Sequence, residues 1–232
     1  MAKSANNSAL SGVLGNVVFV NQGARSFIRS KPHKVRQTKA TKAAASSFGW
    51  ISQQDKKFRM ALTQAYSLVT DSYYAARHRA CMAKAQNLSQ GSLSATMPQA
   101  LEGFEFNSLV SWEKTCHFYV TCIQNDNILA CHIPALTLGQ NVKAPKAVRV
   151  ADLQFHAFMV DPNQPDIDIM PLGSHQLTLQ PLKTVPETQW NLNLPTANTW
   201  VVVLGTLMFD YRQSNVAANL RGCAYYLFAK VV

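Results

Sequence analysis

The side chains that most resemble a metal site are two Cys-His dipeptides, Cys116-His117 and Cys131-His132. Thiolate and imidazole are zinc ligands, but a zinc site normally contains a Cys-x2-4-Cys knuckle, and the sequence has none. On strands, adjacent side chains point to opposite faces, so Cys116 and Cys122 share one face and His117 lies on the other. We expect the cysteines to pack in the core, with metal binding as the alternative. We predict no metal and no cofactor.

A second group of possible ligands consists of Asp161, Asp166 and Asp168 in the segment DPNQPDIDI. Calcium is bound by clustered carboxylate oxygens of this kind. The segment lacks the glycine and the terminal glutamate of an EF-hand loop, and two prolines interrupt it. We therefore interpret it as a solvated connection between strands.

The sequence contains none of the common catalytic signatures. The phosphate-binding loop with its Gly-Lys pair, the dinucleotide-binding glycine series, the nucleophile elbow and the His-Glu-x-x-His metalloprotease motif are all missing. The six histidines are scattered, and none stands beside an evident nucleophile. We predict that the protein is not an enzyme.

The most informative feature is a run of cations near the N-terminus. Of the 22 lysines and arginines, 14 lie in residues 1–84, where only Asp55 and Asp71 oppose them. Regularly spaced cations bind phosphates with a strength that falls steeply with salt. The chain has no recognisable module for reading bases, so any nucleic-acid binding would be weakly sequence-specific. The predicted polyanion or partner contact comprises Arg25, Arg29, Lys31, Lys34, Arg36, Lys39 and Lys42.

The elements that must position these cations are a hairpin and a helix. Residues 12–30 predict a β-hairpin, with Val17–Val20 as one strand, NQG as the turn and SFIRS as the return. We expect Phe27 to pack, with Arg25 and Arg29 flanking it.

A helical pattern follows over about residues 40–86, capped by Thr38 or Thr41. Because it exceeds the usual helix length, we expect two helices, broken at Gly49 or at VTDSY. The predicted apolar stripe of this region is Phe48, Ile51, Phe58, Leu62, Val69 and Tyr73.

The rest of the chain predicts an all-β domain. Residues 87–103 are a polar segment with Gly and Pro, and we place a linker there, between a basic region 1–86 and a β-sandwich 104–232. The fold class is therefore α+β: a β-hairpin and a long helix or helical hairpin, followed by an immunoglobulin-like sandwich. Candidate strands are 107–113, 116–124, 127–133, 147–160, 174–182, 188–194, 199–211 and 221–231.

The sequence also bears on location and redox state. The N-terminal segment lacks the apolar run of a signal peptide, and no stretch approaches the length of a membrane span. The five cysteines are odd in number, which favours reduced thiols. We expect a cytoplasmic protein that has no membrane partner.

Both ends of the chain resemble a family of bacterial proteins, mainly from Bacteroidetes, described as a domain of unknown function (the DUF6266-like proteins). At the N-terminus the likeness rests on a Gly-x-Val-Val hairpin, here Gly15, Val17 and Val18, which ends in an Arg-Ser-x-Pro element, here Arg29, Ser30 and Pro32. At the C-terminus LNLPTANTWVVVLGTLMFDY and CAYYLFAKVV are similar to the family's closing strands. The resemblance implies structural motifs and no activity.

Two functions fit these observations. The first is a structural protein that self-associates into a filament, a capsid or a phage-like particle through its hairpin and helices. The second is a nucleic-acid-binding accessory protein that contacts phosphates through the basic N-terminal region. The expected partners are thus other copies of the chain, nucleic acid or an acidic protein surface.

Overall fold

The computed structural model contains two compact units, Met1–Ser46 and Ser47–Val232. Their division falls within the first helix, whereas the sequence placed a linker at 87–103, most of which lies outside the described residues. The structure has mixed content, mostly β, in several largely antiparallel sheets. It describes residues 3–4, 10–22, 25–31, 37–88, 93, 100–125, 127–161, 163–194, 200–211, 216–228 and 230–231.

The helices are α1 (Lys39–Ala65), α2 (Tyr74–Leu88) and the short α3 (Trp112–Thr115). The N-terminal strands are β1 (Lys3–Ser4), β2 (Leu10–Leu14), β3 (Val17–Gln22) and β4 (Arg25–Ser30). The later strands are β5 (Thr121–Asn125), β6 (Ile128–Ile133), β7 (Leu136–Thr137), β8 (Val148–Val160), β9 (Ile169–Leu179), β10 (Thr184–Val185), β11 (Thr188–Asn193), β12 (Trp200–Tyr211), β13 (Gly222–Phe228) and β14 (Lys230–Val231).

The first unit contains an antiparallel sheet with the strand order β1-β2-β3-β4. The predicted hairpin is confirmed as the β3–β4 pair, with Asn21 and Gln22 of the predicted NQG turn inside β3. Residues 23–24 lie outside the described residues. The sequence missed β1 and β2. A two-residue turn joins β2 to β3, and Gly15 at its first position has a φ of +57°, where a side chain would be strained.

The helical region forms two helices, as predicted, and the break falls at residues 66–73 rather than at Gly49. Thr38 is the cap of α1, because its hydroxyl oxygen accepts a hydrogen bond from the backbone N–H of Thr41 (3.1 Å). The apolar stripe was only partly right. Phe48 and Tyr73 are exposed, and Phe48 instead lies against the guanidinium group of Arg79.

The second unit is built on a sheet with the order β13-β12-β8-β9. The long strands β8 and β12 pair along almost their whole length, from Trp200 opposite Val160 to Tyr211 opposite Val148. A second sheet has the order β11-β6-β5-β14, in which β14 pairs with β5 in parallel. β10 and β7 form a small separate pair.

The long sheet is covered on both faces, which explains why β12 is apolar over most of its length. On one face, Phe155 and Leu207 pack with Leu129 and Cys131 of the second sheet. On the other face, Phe158, Val202, Leu204 and Tyr226 pack with side chains of the helices, namely Ile51, Phe58, Leu62 and Met82. Most of the candidate strands predicted after residue 104 overlap strands of these two sheets.

One predicted strand, 107–113, was wrong. Residues 107–111 are irregular, and α3 follows them. The buried Asn107 explains the difference, because its side-chain amide donates to the carbonyls of Asn219 (2.7 Å) and Gly222 (2.8 Å). A side chain that bonds to the backbone in this way competes with a regular ladder.

Candidate interaction surface

The pairing register divides the N-terminal sheet into two chemically different faces. Side chains alternate along a strand, so those of Arg25, Phe27 and Arg29 lie on one face and those of Ser26, Ile28 and Ser30 on the other. Directly across from them on β3, Val20 and Val18 continue the first face, and Asn21, Phe19 and Val17 continue the second. β2 adds Val13 to the first face and Gly12 and Leu14 to the second.

We call the first of these the arginine face, defined by Val13, Val18, Val20, Arg25, Phe27 and Arg29. Both arginines are exposed, and the two valines of β3 are half-buried. The Phe27 side chain was expected to pack, but 46% of it is exposed. The turn residues predicted the return strand correctly, but they gave no information on whether a second layer covers that face.

We call the second the uncharged face, defined by Gly12, Leu14, Val17, Phe19, Asn21, Ser26, Ile28 and Ser30. None of these residues carries a charge. Ile28 is 62% exposed and Leu14 is 60% exposed. Exposed apolar groups thus lie on both faces of one small sheet, an arrangement that is characteristic of interaction surfaces.

The remaining predicted contact residues are spread along the chain. Lys31 follows β4, is exposed, and donates its backbone N–H to the carbonyl of Asn16 (2.7 Å). Lys39 and Lys42 are exposed at the start of α1, three residues apart and hence on one side of the helix. Lys34 and Arg36 lie outside the described residues. The structure therefore brings Arg25 and Arg29 to one surface, and separately Lys39 and Lys42.

The charge of this region is not neutralised locally. No acidic residue precedes Asp55 in the sequence. The ion pairs found in the described part of the chain all join residues from Asp55 onward. The first unit, Met1–Ser46, therefore contains cations and no carboxylate side chain that could compete with an anionic partner.

Sequence reasoning missed a buried polar group in the second unit, formed by Asp55, His78 and Tyr226. His78 Nδ1 lies 2.7 Å from Asp55 Oδ1, and its Nε2 lies 3.2 Å from the Tyr226 hydroxyl oxygen. In the neutral tautomer that fits both contacts, Nδ1–H donates to the carboxylate and the Tyr226 hydroxyl donates to Nε2. Burial lowers the pKa of His78, and hydrogen bonding to Asp55 opposes this only in part. One signal of this group was present in the sequence: Asp55 lies four residues after Ile51, so a carboxylate falls on the apolar stripe of the helix.

An acid, an imidazole and a hydroxyl in series are also the parts of a hydrolytic triad. Here all three side chains are fully buried, and the rings of Phe58, Phe104 and Phe106 surround the imidazole. Because no substrate can reach a fully buried hydroxyl in this conformation, the group acts in packing. It joins α1 and α2 to β13.

A second polar cluster is centred on Asp71, which precedes α2. Its carboxylate accepts hydrogen bonds from the backbone N–H of Tyr73 (2.8 Å), from the backbone N–H and hydroxyl of Ser108 (2.8 and 2.6 Å), and from Arg77 (2.6 Å). Burial alone would raise the pKa of Asp71, but these donors outweigh it and hold the pKa at about 2. Asp71 thereby fixes the loop at Ser108 to the start of α2.

The residues first considered as metal ligands have other roles. Cys116, Cys122 and Cys131 are buried, as predicted, and the Cys131 thiol donates a hydrogen bond to Cys122 Sγ on the neighbouring strand (3.2 Å). Asp161 and Asp168 accept hydrogen bonds from residues close to them in sequence. Among the described residues no three His, Cys, Asp or Glu side chains are grouped as a metal site would require.

No protein-family model, curated protein or solved structure matches this chain. The resemblance at the two ends of the sequence therefore stays a prediction. Within the described residues, no helix has both the length and the apolar character needed to cross a membrane.

Proposed function

We propose that this protein is a non-enzymatic structural subunit that self-associates through its N-terminal unit. The observation that carries this is the uncharged face, where Leu14 and Ile28 are both more than half exposed on a four-stranded sheet. A sheet normally buries one of its faces against another layer. A second copy of the chain can supply that layer.

The charge distribution favours face-to-face association over pairing of β4 edges. β4 is an edge strand, and an edge strand can pair with another chain. Antiparallel pairing of two β4 strands would gather Arg25 and Arg29 from both copies along one short ladder, and like charges at that distance repel. Contact between two uncharged faces avoids this repulsion.

The energy available at this face suggests a weak contact that repetition strengthens. Burying an apolar side chain contributes about 1.5–3 kcal/mol, so Leu14 and Ile28 offer about 1–2 kcal/mol each. Association costs about 4–15 kcal/mol in lost motion. One such pair of faces is therefore a marginal dimer interface. A filament, capsid or phage-like particle makes the contact many times, and the paired sheets of the second unit, as an immunoglobulin-like sandwich, would form its body.

A second candidate function is phosphate binding by the arginine face. It is supported by the exposure of Arg25 and Arg29 on the same face of the sheet and by the lack of acidic residues before Asp55. The protein would then be a nucleic-acid-binding accessory protein. The two functions use opposite faces of one sheet, so a nucleoprotein assembly could use both.

Light scattering on the purified full chain, at low and high salt and before and after nuclease, tests both candidates. Particles that survive both treatments support association between protein chains. Particles that disappear with nuclease or high salt support phosphate binding. A nucleic-acid-free monomer under all these conditions would overturn both.

A further inference from the structure

We infer that the arginine face binds single-stranded nucleic acid by stacking an unpaired base on Phe27. This inference rests on the second candidate function and specifies it, because phosphate contacts alone do not distinguish single strands from duplexes. It arises from one difference between expectation and structure: Phe27 does not pack inward.

The Phe27 ring has apolar neighbours on the adjoining strand. Phe27 lies directly opposite Val20, and Arg29 lies opposite Val18. The half-buried valines are neighbours of Phe27 on the same face, and 46% of Phe27 remains exposed. Aromatic rings exposed on a sheet surface are the stacking platforms that many single-strand binding proteins use.

Positive charge lies on both sides of the Phe27 ring. Arg25 and Arg29 stand two residues before and two residues after Phe27, so each is about 7 Å away along the strand. Both are exposed and lie on the same face as the ring. A base over the ring therefore has a guanidinium group on either side for the flanking phosphates, or for stacking on the base itself.

Three kinds of partner differ in how they would use the arginine face. An acidic protein surface would satisfy the two arginines, but it would have no use for an exposed phenyl ring between them. A duplex would likewise contact the arginines, yet its bases already stack on one another and cannot reach Phe27. Only a strand with unpaired bases uses the cations and the ring together.

The test is fluorescence anisotropy on the full chain with a labelled oligothymidylate of about 16 nucleotides and with a duplex of the same length. Phe27→Ala should weaken single-strand binding by about 5- to 100-fold and leave duplex binding unchanged. Phe27→Trp should bind the single strand at least as tightly, with quenching of the new indole fluorescence. Tyr119→Ala is the matched control, since it removes a 92% exposed aromatic side chain from the second unit.

The arginines provide a separate measurement. Arg25→Gln together with Arg29→Gln should weaken binding to both oligonucleotides. It should also reduce the dependence of log affinity on log salt for the single strand by about 1.4. This change reports phosphate contacts, whereas Phe27→Ala reports stacking.

The outcomes separate the two claims. Binding that is equal for single strand and duplex, and insensitive to Phe27→Ala, would overturn the stacking inference and leave phosphate binding intact. Binding to neither oligonucleotide would overturn both. Capture of an acidic protein that is lost in the arginine variant but kept in Phe27→Ala, without oligonucleotide binding, would assign the face to a protein partner and would also overturn the inference.

Discussion

Phe27 and Ile28 are neighbours in β4, yet they lie on opposite faces of the N-terminal sheet, and both are exposed. On its face of the sheet Phe27 lies between Arg25 and Arg29, whereas Ile28 lies between Ser26 and Ser30 on the other face. One short strand thus presents two surfaces of different chemistry. This relationship underlies both proposed functions, and it lets a single substitution affect one face and spare the other.

The first prediction concerns His78 and stability at mildly acidic pH. Its pKa is lowered in the folded protein, so between about pH 7 and pH 5 the unfolded chain takes up a proton that the folded chain does not. Stability should therefore fall as the pH falls, by at most about 2 kcal/mol at pH 5 from this residue. Urea unfolding of the wild type and His78→Gln at several pH values measures this.

The groups that face His78 are Asp55, Arg59 and Tyr226. Burial also lowers the pKa of His156, which acts in the same direction, so the difference between wild type and variant is the relevant quantity. The exposed His117→Gln is the control. Equal pH dependence in the wild type and His78→Gln would contradict the assigned environment of this histidine.

The second prediction concerns Asp71. Asp71→Asn removes the charge that four donors share, and we expect it to lower the free energy of unfolding by about 2–4 kcal/mol. Because the pKa of Asp71 is held at about 2, the wild type should lose this stabilisation as the pH falls from about 4 towards 2. The variant should lack that part of the acid transition.

Asp166→Asn is the matched control for Asp71, because Asp166 forms an exposed pair with Lys57 at 3.8 Å. Exposed pairs contribute little, so this change should lower stability by less than about 1 kcal/mol. If both substitutions have the same effect on chemical denaturation, the Asp71 cluster is not the anchor described above.

The third prediction concerns two glycines. A Cβ added to Gly222 in β13 would overlap the carbonyl oxygen of Leu207 in the neighbouring strand. Gly222→Ala should therefore destabilise the protein by about 3 kcal/mol or more. Gly49 lies in α1 with open space around it, and Gly49→Ala should stabilise by about 0.5–1 kcal/mol. A Gly222→Ala protein that unfolds at the wild-type temperature or above it would be evidence against the pairing of β13 with β12.

Local patterns in the sequence were sufficient for much of the fold. An apolar strand followed by turn residues predicted the β3–β4 hairpin. Apolar spacing predicted the two helices, and runs between turn signals predicted the long strands β8 and β12. The sequence could not show which faces would be covered, because coverage depends on contacts between distant segments. Phe27 and Phe48 were both expected to be buried, but both are exposed, and local patterns alone could not reveal this.

The candidate sites show the same limit. The cations of the arginine face could be named from the sequence, but their pairing with an exposed ring required the register of the sheet. The Asp55, His78 and Tyr226 group joins residues 148 positions apart, a distance that no local pattern spans. Asn107 was assigned to a strand, and its side-chain bonds to the distant carbonyls of Asn219 and Gly222 were not predictable from local sequence.

The most direct test of the central claim is sedimentation velocity over a range of concentrations, in nuclease-treated protein at high salt. Wild type, Ile28→Asp and Leu109→Asp are compared, since Leu109 is 58% exposed in the second unit and receives the same charge. The account predicts species larger than the 25.6 kDa chain for the wild type and Leu109→Asp, and a folded monomer for Ile28→Asp. A wild type that stays monomeric at every concentration, or three proteins of the same size, would contradict it.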